Sequence, residues 1–320
     1  MADSSGAAAA TEALPPCPIT GEPAAERVQR IPAKLLHDLW RYGARVDPRP
    51  LRRNQGSIGL YRSPCGLMFF HPALAGTPEF YRDLYGRRRA HEGLTRDADT
   101  REDFRAGAAL ARPDDRVLDV GCGAGAFAAL LPAGARYQGL EPHGESRTSP
   151  PVRAETVEAH AARFPCAYDL ACAFQVLEHA ADPLGMASAM AACLRPGGLL
   201  VLAMPVWPSP HTEVPNNLVN LPPHHLTWWN EGACHALAAR LGLEVMRVGK
   251  LPAYPAQAVA HWTQRLSVLR ARPGGYVRAG WRWHASAGLA YGAAWLLAPI
   301  LGLPPRAAPL DILLVARKPG

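Results

Sequence analysis

The chain has 320 residues, 48% of them hydrophobic and 19% charged, which excludes a disordered or fibrous protein and allows one large domain with additions or two small ones. Its net charge of +7 rests on arginine, because Lys34, Lys250 and Lys318 are the only lysines. The arginines are spread along the chain and not gathered into basic blocks with interleaved aromatics, which argues against a nucleic-acid partner.

Residues 1–16 are rich in Ala and Ser, carry Asp3 and Glu12, and lack a basic start; they read as a frayed tail and not as a signal peptide. Residues 17–112 read as an N-terminal extension of turn-rich pieces with helices near 33–41, 78–85 and 100–111. From residue 113 the texture changes to alternating strands and helices. Strands are expected over 117–120, 137–140, 152–157, 170–174 and 199–204, with helices over 126–131 and 183–194. A Pro-rich loop (205–223), a helix (231–241) and a strand (243–248) follow, and 311–317 reads as the last strand. Between those two strands lies an insertion, 249–309, far longer than an ordinary loop. Short apolar strands separated by helices require an α/β fold whose parallel sheet is covered on both faces. The seven cysteines, at 17, 65, 122, 166, 172, 193 and 234, form no Cys-x-x-Cys pair, so the expected compartment is a reducing cytoplasm.

The most informative stretch is Val117-Leu118-Asp119-Val120-Gly121-Cys122-Gly123-Ala124-Gly125-Ala126-Phe127. Glycines at 121, 123 and 125 let a strand turn sharply and approach a ligand closely, although such a turn needs no ligand by itself. Their spacing differs from the Gly-x-Gly-x-x-Gly that seats a pyrophosphate, which argues against a nicotinamide-dependent dehydrogenase. Asp119, two residues before the first glycine, opposes a pyrophosphate and suits a cationic ligand. Glu141 ends the next strand, 22 residues after Asp119, near the interval at which a doubly wound sheet brings a carboxylate to ribose hydroxyls. Taken alone it also reads as an exposed loop acid.

These residues are joined in order and spacing by Phe174-Gln175-Val176-Leu177-Glu178-His179-Ala180-Ala181-Asp182-Pro183 and Leu194-Arg195-Pro196-Gly197-Gly198. Together they resemble the class I S-adenosylmethionine-dependent methyltransferases, especially the branch similar to ubiquinone-biosynthesis O-methyltransferases. The resemblance implies a Rossmann-like, doubly wound, seven-stranded mixed sheet with the last strand antiparallel. It also implies S-adenosylmethionine as cofactor. Asp119, Gly121, Cys122, Gly123 and Gly125 would take its methionine end, Glu141 its ribose, and Gln175 with Val176 its sulfonium side. The acid that often contacts adenine has no clear counterpart, with Glu155 or Glu158 as substitutes. In ubiquinone-type relatives an acid, two further residues and then Glu-His assemble a divalent metal site. Here Gln175 stands in the first acid's place, so no metal is expected.

Methyl transfer from a sulfonium depends mainly on alignment, but a hydroxyl acceptor must also lose a proton, which a histidine can take. The candidates are His179 in Leu-Glu-His, and His224 and His225 in Asn220-Leu221-Pro222-Pro223-His224-His225-Leu226-Thr227-Trp228-Trp229. His179 also reads as a structural histidine holding its loop. The second turn also reads as a helix entry that only positions Trp228. As an acceptor site, its tryptophans would roof an apolar molecule.

Two further segments remain. Cys17-Pro18-Ile19-Thr20-Gly21 and Ser63-Pro64-Cys65-Gly66-Leu67-Met68-Phe69-Phe70 resemble a zinc-ribbon module that has lost half of its thiols, and two thiolates cannot close a structural zinc site. A metal-free remnant packed on Phe69 and Phe70 is expected, with His37 and His71 unsupported by spacing. Residues 285–305 carry no charge, and Arg270, Arg272, Arg278 and Arg282 precede them. A lid or homodimer helix and an interfacial helix over 276–305 making peripheral membrane contact are both open. A single crossing would strand the last strand of the sheet. The expectation is a methyltransferase domain over 113–320 acting on a small or lipid-like acceptor, most plausibly at oxygen. A catalytically inactive binding or scaffold protein of the same fold is the alternative, and an NAD(P)-binding oxidoreductase a distant third.

Overall fold

A computed structural model describes residues 13–91 and 98–320, with backbone only for 85–91. Most of the expected tail therefore lies outside the described residues; Pro16 bridges to Pro23.

The N-terminal extension contains β1 (Glu26–Pro32), α1 (Ala33–Asp38) running into a π-helical turn (Leu39–Ala44), β2 (Ser57–Arg62), β3 (Met68–His71), α2 (Pro78–His91) and α3 (Glu102–Ala108). The larger sheet is built from β4 (Arg116–Val120), β5 (Arg136–Leu140), β6 (Arg147–Thr148), β7 (Pro151–Arg153), β8 (Tyr168–Phe174) and β9 (Leu194–Pro205), with α4 (Val157–Ala161) and α5 (Pro183–Cys193) between them. Then come α6 (Pro210–Glu213), β10 (Thr227–Trp228), α7 (Glu231–Arg240), β11 (Glu244–Lys250), α8 (Ala258–Leu266), α9 (Trp281–Leu301) and β12 (Asp311–Arg317).

The sheet order is β11-β12-β9-β8-β4-β5-β7-β6. β7, β5, β4, β8 and β9 run parallel, and β12 is antiparallel to both of its neighbours. That is the expected seven-stranded mixed sheet, with the two-residue β6 added as a hairpin edge. Residues alternate between two buried faces. Leu118, Ala171, Leu200, Leu202, Ile312 and Leu314 fill one, while Val117, Leu170, Cys172, Val201, Leu313 and Val315 fill the other. Each fully buried aliphatic side chain contributes about 1.5–3 kcal/mol.

Local details depart from the sequence reading for identifiable reasons. The helix expected after the glycines is only a 3-10 turn, Ala126–Leu130. It ends because Leu131 precedes Pro132 and takes an extended conformation. The third strand is shorter than expected because Thr156 caps α4, its Oγ1 accepting from the Ala159 amide. The fifth begins at Leu194: the Arg195–Gly198 turn is absorbed as an irregularity between the pairs Tyr168–Leu194 and Leu170–Leu199.

A second sheet, β1-β2-β3-β10, is antiparallel throughout. Its last strand comes from the loop beyond β9, so the chain after the expected boundary at residue 113 completes the sheet of the extension. Trp228 of β10 packs edge-on against Phe70 and Tyr276, with centroids 5.6 and 5.0 Å apart. Phe69 and Phe70 are buried, as the ribbon reading expects. Cys17 and Cys65 meet: a Cys65 hydrogen bond, outweighing burial, pulls the Cys17 thiol down to about 5. His37 lies instead beside Asp38, and His71 against Tyr61.

Candidate active site

The glycine loop leaves β4 at the carboxyl ends of the parallel strands, the side on which open α/β sheets bind ligands. Gly121 and Gly123 have φ of +71° and +57°, where a side chain is strained. A Cβ on Gly121 would lie 2.5 Å from Val176 Cγ2, whereas Gly123 faces open space. Val176 thus seals the floor of the loop and Gly123 leaves a cradle. Gly125 packs against Pro150. Cys122 donates to the Gly123 carbonyl at 3.7 Å, and burial pushes its thiol up to about 12.

Two acids flank the loop. Asp119 is buried, accepts from the Tyr137 hydroxyl at 2.8 Å, and is pushed up to about 7 by burial. Glu141 stands at the rim, its Oε2 accepting from the Gly123 amide at 3.0 Å and its Oε1 from the His143 amide at 3.2 Å. An open cradle with a hydroxyl-accepting carboxylate at one side and a buried acid beneath fits a ligand with a diol and a cationic end. Glu155, one of the two acids considered for adenine, instead bonds His160 and Arg163, with Oε1 2.7 Å from His160 Nδ1.

Gln175 takes a left-handed conformation, φ +61°, at the end of β8, and its amide donates to the Ala203 carbonyl at 2.8 Å. Such a conformation at a non-glycine residue costs of order 1–3 kcal/mol and concentrates at functional sites. Beside Gln175 lies Asp311, pushed up to about 7 by burial and then by Asp103, and accepting from Gln257 Nε2 at 2.6 Å. Sequence reasoning missed this acid together with Arg101 and Asp103. Arg101 forms a two-pronged pair with the fully buried Asp103, at 3.0 and 2.6 Å, and stacks 3.7 Å over Phe104. Phe104, Phe127 and Phe174 pack at 4.8–5.4 Å between centroids and pin α3 beneath β8, which brings Arg101 within electrostatic reach of Asp119. The only sequence signal was the charged run Arg101-Glu102-Asp103 opening α3.

Opposite the loop, three histidines converge. The His179 and His224 rings stack at 4.4 Å, and His225 lies 4.9 and 4.7 Å from them. His179 Nδ1 is 2.7 Å from the His224 carbonyl, which can only accept, so Nδ1 carries the proton and Nε2 faces Glu178 Oε1 at 3.8 Å. His225 Nδ1 is 3.1 Å from Asn220 Oδ1, and its Nε2 is 4.0 Å from the same Glu178 oxygen. Glu178 is 0% exposed, neither of its oxygens meets a hydrogen-bond partner among the described residues, and burial holds it well above the carboxylate range. The sequence pattern left Glu178 and His179 without companions; the Pro-Pro-His-His turn supplies two. Among the described residues these three histidines are the one group whose donor atoms, within 4.8 Å of one another, come close enough to hold a metal ion.

The expected aromatic roof is corrected. Trp228 and Trp229 are buried, with Nε1 donating to the Asn220 carbonyl and to Thr227 Oγ1, both at 2.9 Å. They are core residues that fix the turn. Tyr81 of α2 takes the covering position. It stacks on His143 at 5.8 Å and meets His179 and His224 at 5.9 and 6.0 Å, so one ring spans both sides of the site.

The chain is similar to several known proteins. The methyltransferase-domain family matches residues 88–248. A ubiquinone biosynthesis O-methyltransferase of Photorhabdus laumondii is 40% identical over 95 residues, 26% of this chain and 40% of that protein. One of Xanthomonas campestris is 36% identical over 108 residues, 30% of this chain and 45% of that protein. The chain therefore spans less than half the length of these relatives. Among solved structures, the Burkholderia thailandensis 1,6-didemethyltoxoflavin-N1-methyltransferase has a TM-score of 0.46 at 17% identity, covering 83% of this chain and 97% of that one. A putative methyltransferase complexed with the Haloferax volcanii Trm112 activator also scores 0.46 at 17% identity, covering 73% and 95%. With the glycine loop, its flanking acids and the strand order in place, the chain belongs to the class I S-adenosylmethionine-dependent methyltransferases.

Proposed function

We propose that the chain methylates a hydroxyl oxygen of a small or lipid-like acceptor held between the glycine loop and the three histidines. The convergence of His179, His224 and His225 under Tyr81, beside the Gly123 cradle, carries this reading. Bound in the cradle, S-adenosylmethionine supplies an electrophilic methyl on a positively charged sulfur. Asp119, Cys122 and the loop glycines hold its methionine end, Glu141 accepts from its ribose, and Gln175 with Val176 shapes the sulfonium side.

The donor would give up its methyl to the acceptor oxygen at the expense of its carbon–sulfur bond, and the chain's part is to take the hydroxyl proton on an imidazole nitrogen and release it to water. His224 is the first choice for this base, with His225 next and His179 as a positioning partner. Tyr81 and the buried turn exclude water, so alignment supplies most of the rate. Oxygen is favoured by the O-methyltransferase names of the partial relatives, which do not identify the acceptor. All seven cysteines are free thiols, which fits a reducing compartment.

The 4.8 Å spread of the donor atoms favours one second reading, in which a divalent cation at the three histidines acidifies the hydroxyl. Turnover that survives exhaustive chelation selects the imidazole base; turnover lost and restored by added metal selects the cation. A panel of phenolic and lipid-like alcohols with S-adenosylmethionine tests the whole proposal. Product binding without turnover on any acceptor would leave a scaffold in place of an enzyme.

A further inference from the structure

α9 is packed the wrong way round for a water-soluble helix. Its buried stripe is Ser286, Ala290, Ala294 and Ala298, spaced by four and set against the α8 side of the hairpin, with Ser286 Oγ bonded to Ser267 and Leu269. Its large apolar side chains point outward: Leu289, Leu296 and Ile300 are 75%, 71% and 79% exposed, with Tyr291, Trp295 and Leu301 beside them. Only 22% of its most apolar window, of mean hydropathy 1.2, is buried. Small residues inward and large apolar residues outward is the arrangement of a helix whose outer face meets lipid.

The ends of α9 exclude a crossing. Before it, Asn216 Oδ1 accepts from the Arg278 amide at 2.8 Å, and Gln29 Oε1 from the Tyr276 amide at 2.9 Å. After it, Trp262 Nε1 donates to the Gly302 carbonyl at 2.8 Å, and the chain re-enters the sheet as β12 between β9 and β11. A helix of about 31 Å tied to one body at both ends lies along a surface.

Charge identifies that surface. Residues 251–310 contain six arginines (265, 270, 272, 278, 282 and 306) and no Asp or Glu, so this segment holds six of the chain's net seven positive charges. Arg278 and Arg282 lie 5.1 and 5.9 Å over Trp283 and Trp281, an Arg–Trp pairing suited to the headgroup layer. A second copy would bring six like charges against six, which disfavours face-to-face pairing through this hairpin.

We propose that α8 and α9 dock the protein on an anionic phospholipid surface, with α9 lying in the interface and its arginines on the headgroups. The hairpin is joined to α6, in the loop that leads to the histidine turn: Gln264 donates to Glu213 at 2.6 Å, and the Ala271 amide to the Glu213 carbonyl at 2.7 Å. Delivery of a lipid-like acceptor by this route rests on the function proposed above; the docking itself does not.

Flotation of the full chain with vesicles tests it. The protein should rise with vesicles of phosphatidylcholine and phosphatidylglycerol, and bind vesicles of phosphatidylcholine alone at least about tenfold less. The triple variant Leu289→Glu, Leu296→Glu, Ile300→Glu should lose the anionic binding by a similar factor. Its calorimetric affinity for S-adenosylhomocysteine should stay within about twofold of wild type, the mark of an intact fold in sites this far apart. No flotation of the wild type on anionic vesicles overturns the proposal. So does a dimer, seen by sedimentation, that the same triple variant disperses while vesicles are ignored. Flotation by a chain that binds no S-adenosylhomocysteine would sustain the docking and sink the proposed function.

Discussion

His143, in the loop whose Glu141 bonds the glycine loop, and the histidine turn lie against the same ring, Tyr81, yet the two sides of the site are assembled in opposite ways. The donor side draws Asp119, Gly121, Gly123 and Glu141 from two neighbouring parallel strands, β4 and β5, within residues 119–141. The acceptor side draws His179 from the end of β8 and His224 and His225 from a loop far beyond it. Residues of the N-terminal extension then lock that loop: Trp40 Nε1 donates to the Pro222 carbonyl at 2.7 Å, and Phe80 packs against Trp40 at 5.1 Å. On the proposed function, donor recognition is a local property of backbone and two acids. Acceptor recognition would depend on the extension, the long loop and the sheet meeting correctly, so the two should respond separately to mutation.

The strongest way to break this separation is at the histidines. His224→Ala should lower kcat by about 10²–10⁴-fold, the usual worth of a general base, while the Kd for S-adenosylhomocysteine moves less than about twofold. Unchanged turnover at saturating donor removes His224 from the mechanism and shifts attention to His225. On the other side, Glu141→Ala should weaken S-adenosylhomocysteine about 10- to 100-fold by calorimetry, from the loss of charge-assisted bonds to hydroxyls.

Protonation gives an intermediate effect. Asp119, held at about 7, must ionise to meet a cationic donor, so S-adenosylmethionine affinity should rise about tenfold from pH 6 to pH 8. S-adenosylhomocysteine, which keeps the ammonium at the methionine end, should gain a similar factor over the same range. The same burial sets the stability of the ligand-free chain. Asp119 and Asp311 have folded values raised to about 7 from 3.8, so their contribution is complete below about 4 and is lost as pH rises to 7. Glu178 acts in the same direction. His160, lowered to about 4 by burial, opposes them between about 4 and 6.5, and Cys17, lowered to about 5 from 9.0, opposes them above about 5. The unfolding temperature should therefore fall from pH 5 to pH 7, and a rise would contradict the burial of these acids. Smallest is Trp40→Phe, which removes one hydrogen bond to the turn. It should slow turnover by about fivefold, roughly 1 kcal/mol, and leave product affinity unchanged.

What could be read in the sequence follows the same division. Gly121, Gly123, Asp119 and Glu141 were legible because a sharp turn, an open approach and an acid at a strand end are local demands on residue type. Residues 311–317 were legible as a strand despite the long insertion, because an uninterrupted apolar run buried on both faces leaves a plain pattern. The meeting of His179 with His224 and His225 was not, since nothing in either segment encodes their spatial distance. Trp228 and Trp229 misled for a related reason. Beside a candidate acceptor turn they read as a roof, but β10 pairs with β3 and carries both rings into the core. Arg101, Asp103 and Asp311 gave little beyond a charged run at the start of α3, because they matter through one another across two separate elements, α3 and β12. The short turn after Gly125 was overestimated as a helix because the apolar run Ala126–Leu131 hid the stop imposed by Pro132.

Titration of the wild-type chain with S-adenosylhomocysteine by calorimetry tests the central claim most directly. The account predicts one-to-one binding with a Kd in the micromolar range, about −8 kcal/mol. Absence of binding at high micromolar ligand would contradict it, because the Gly123 cradle and Glu141 would then have no nucleoside to hold.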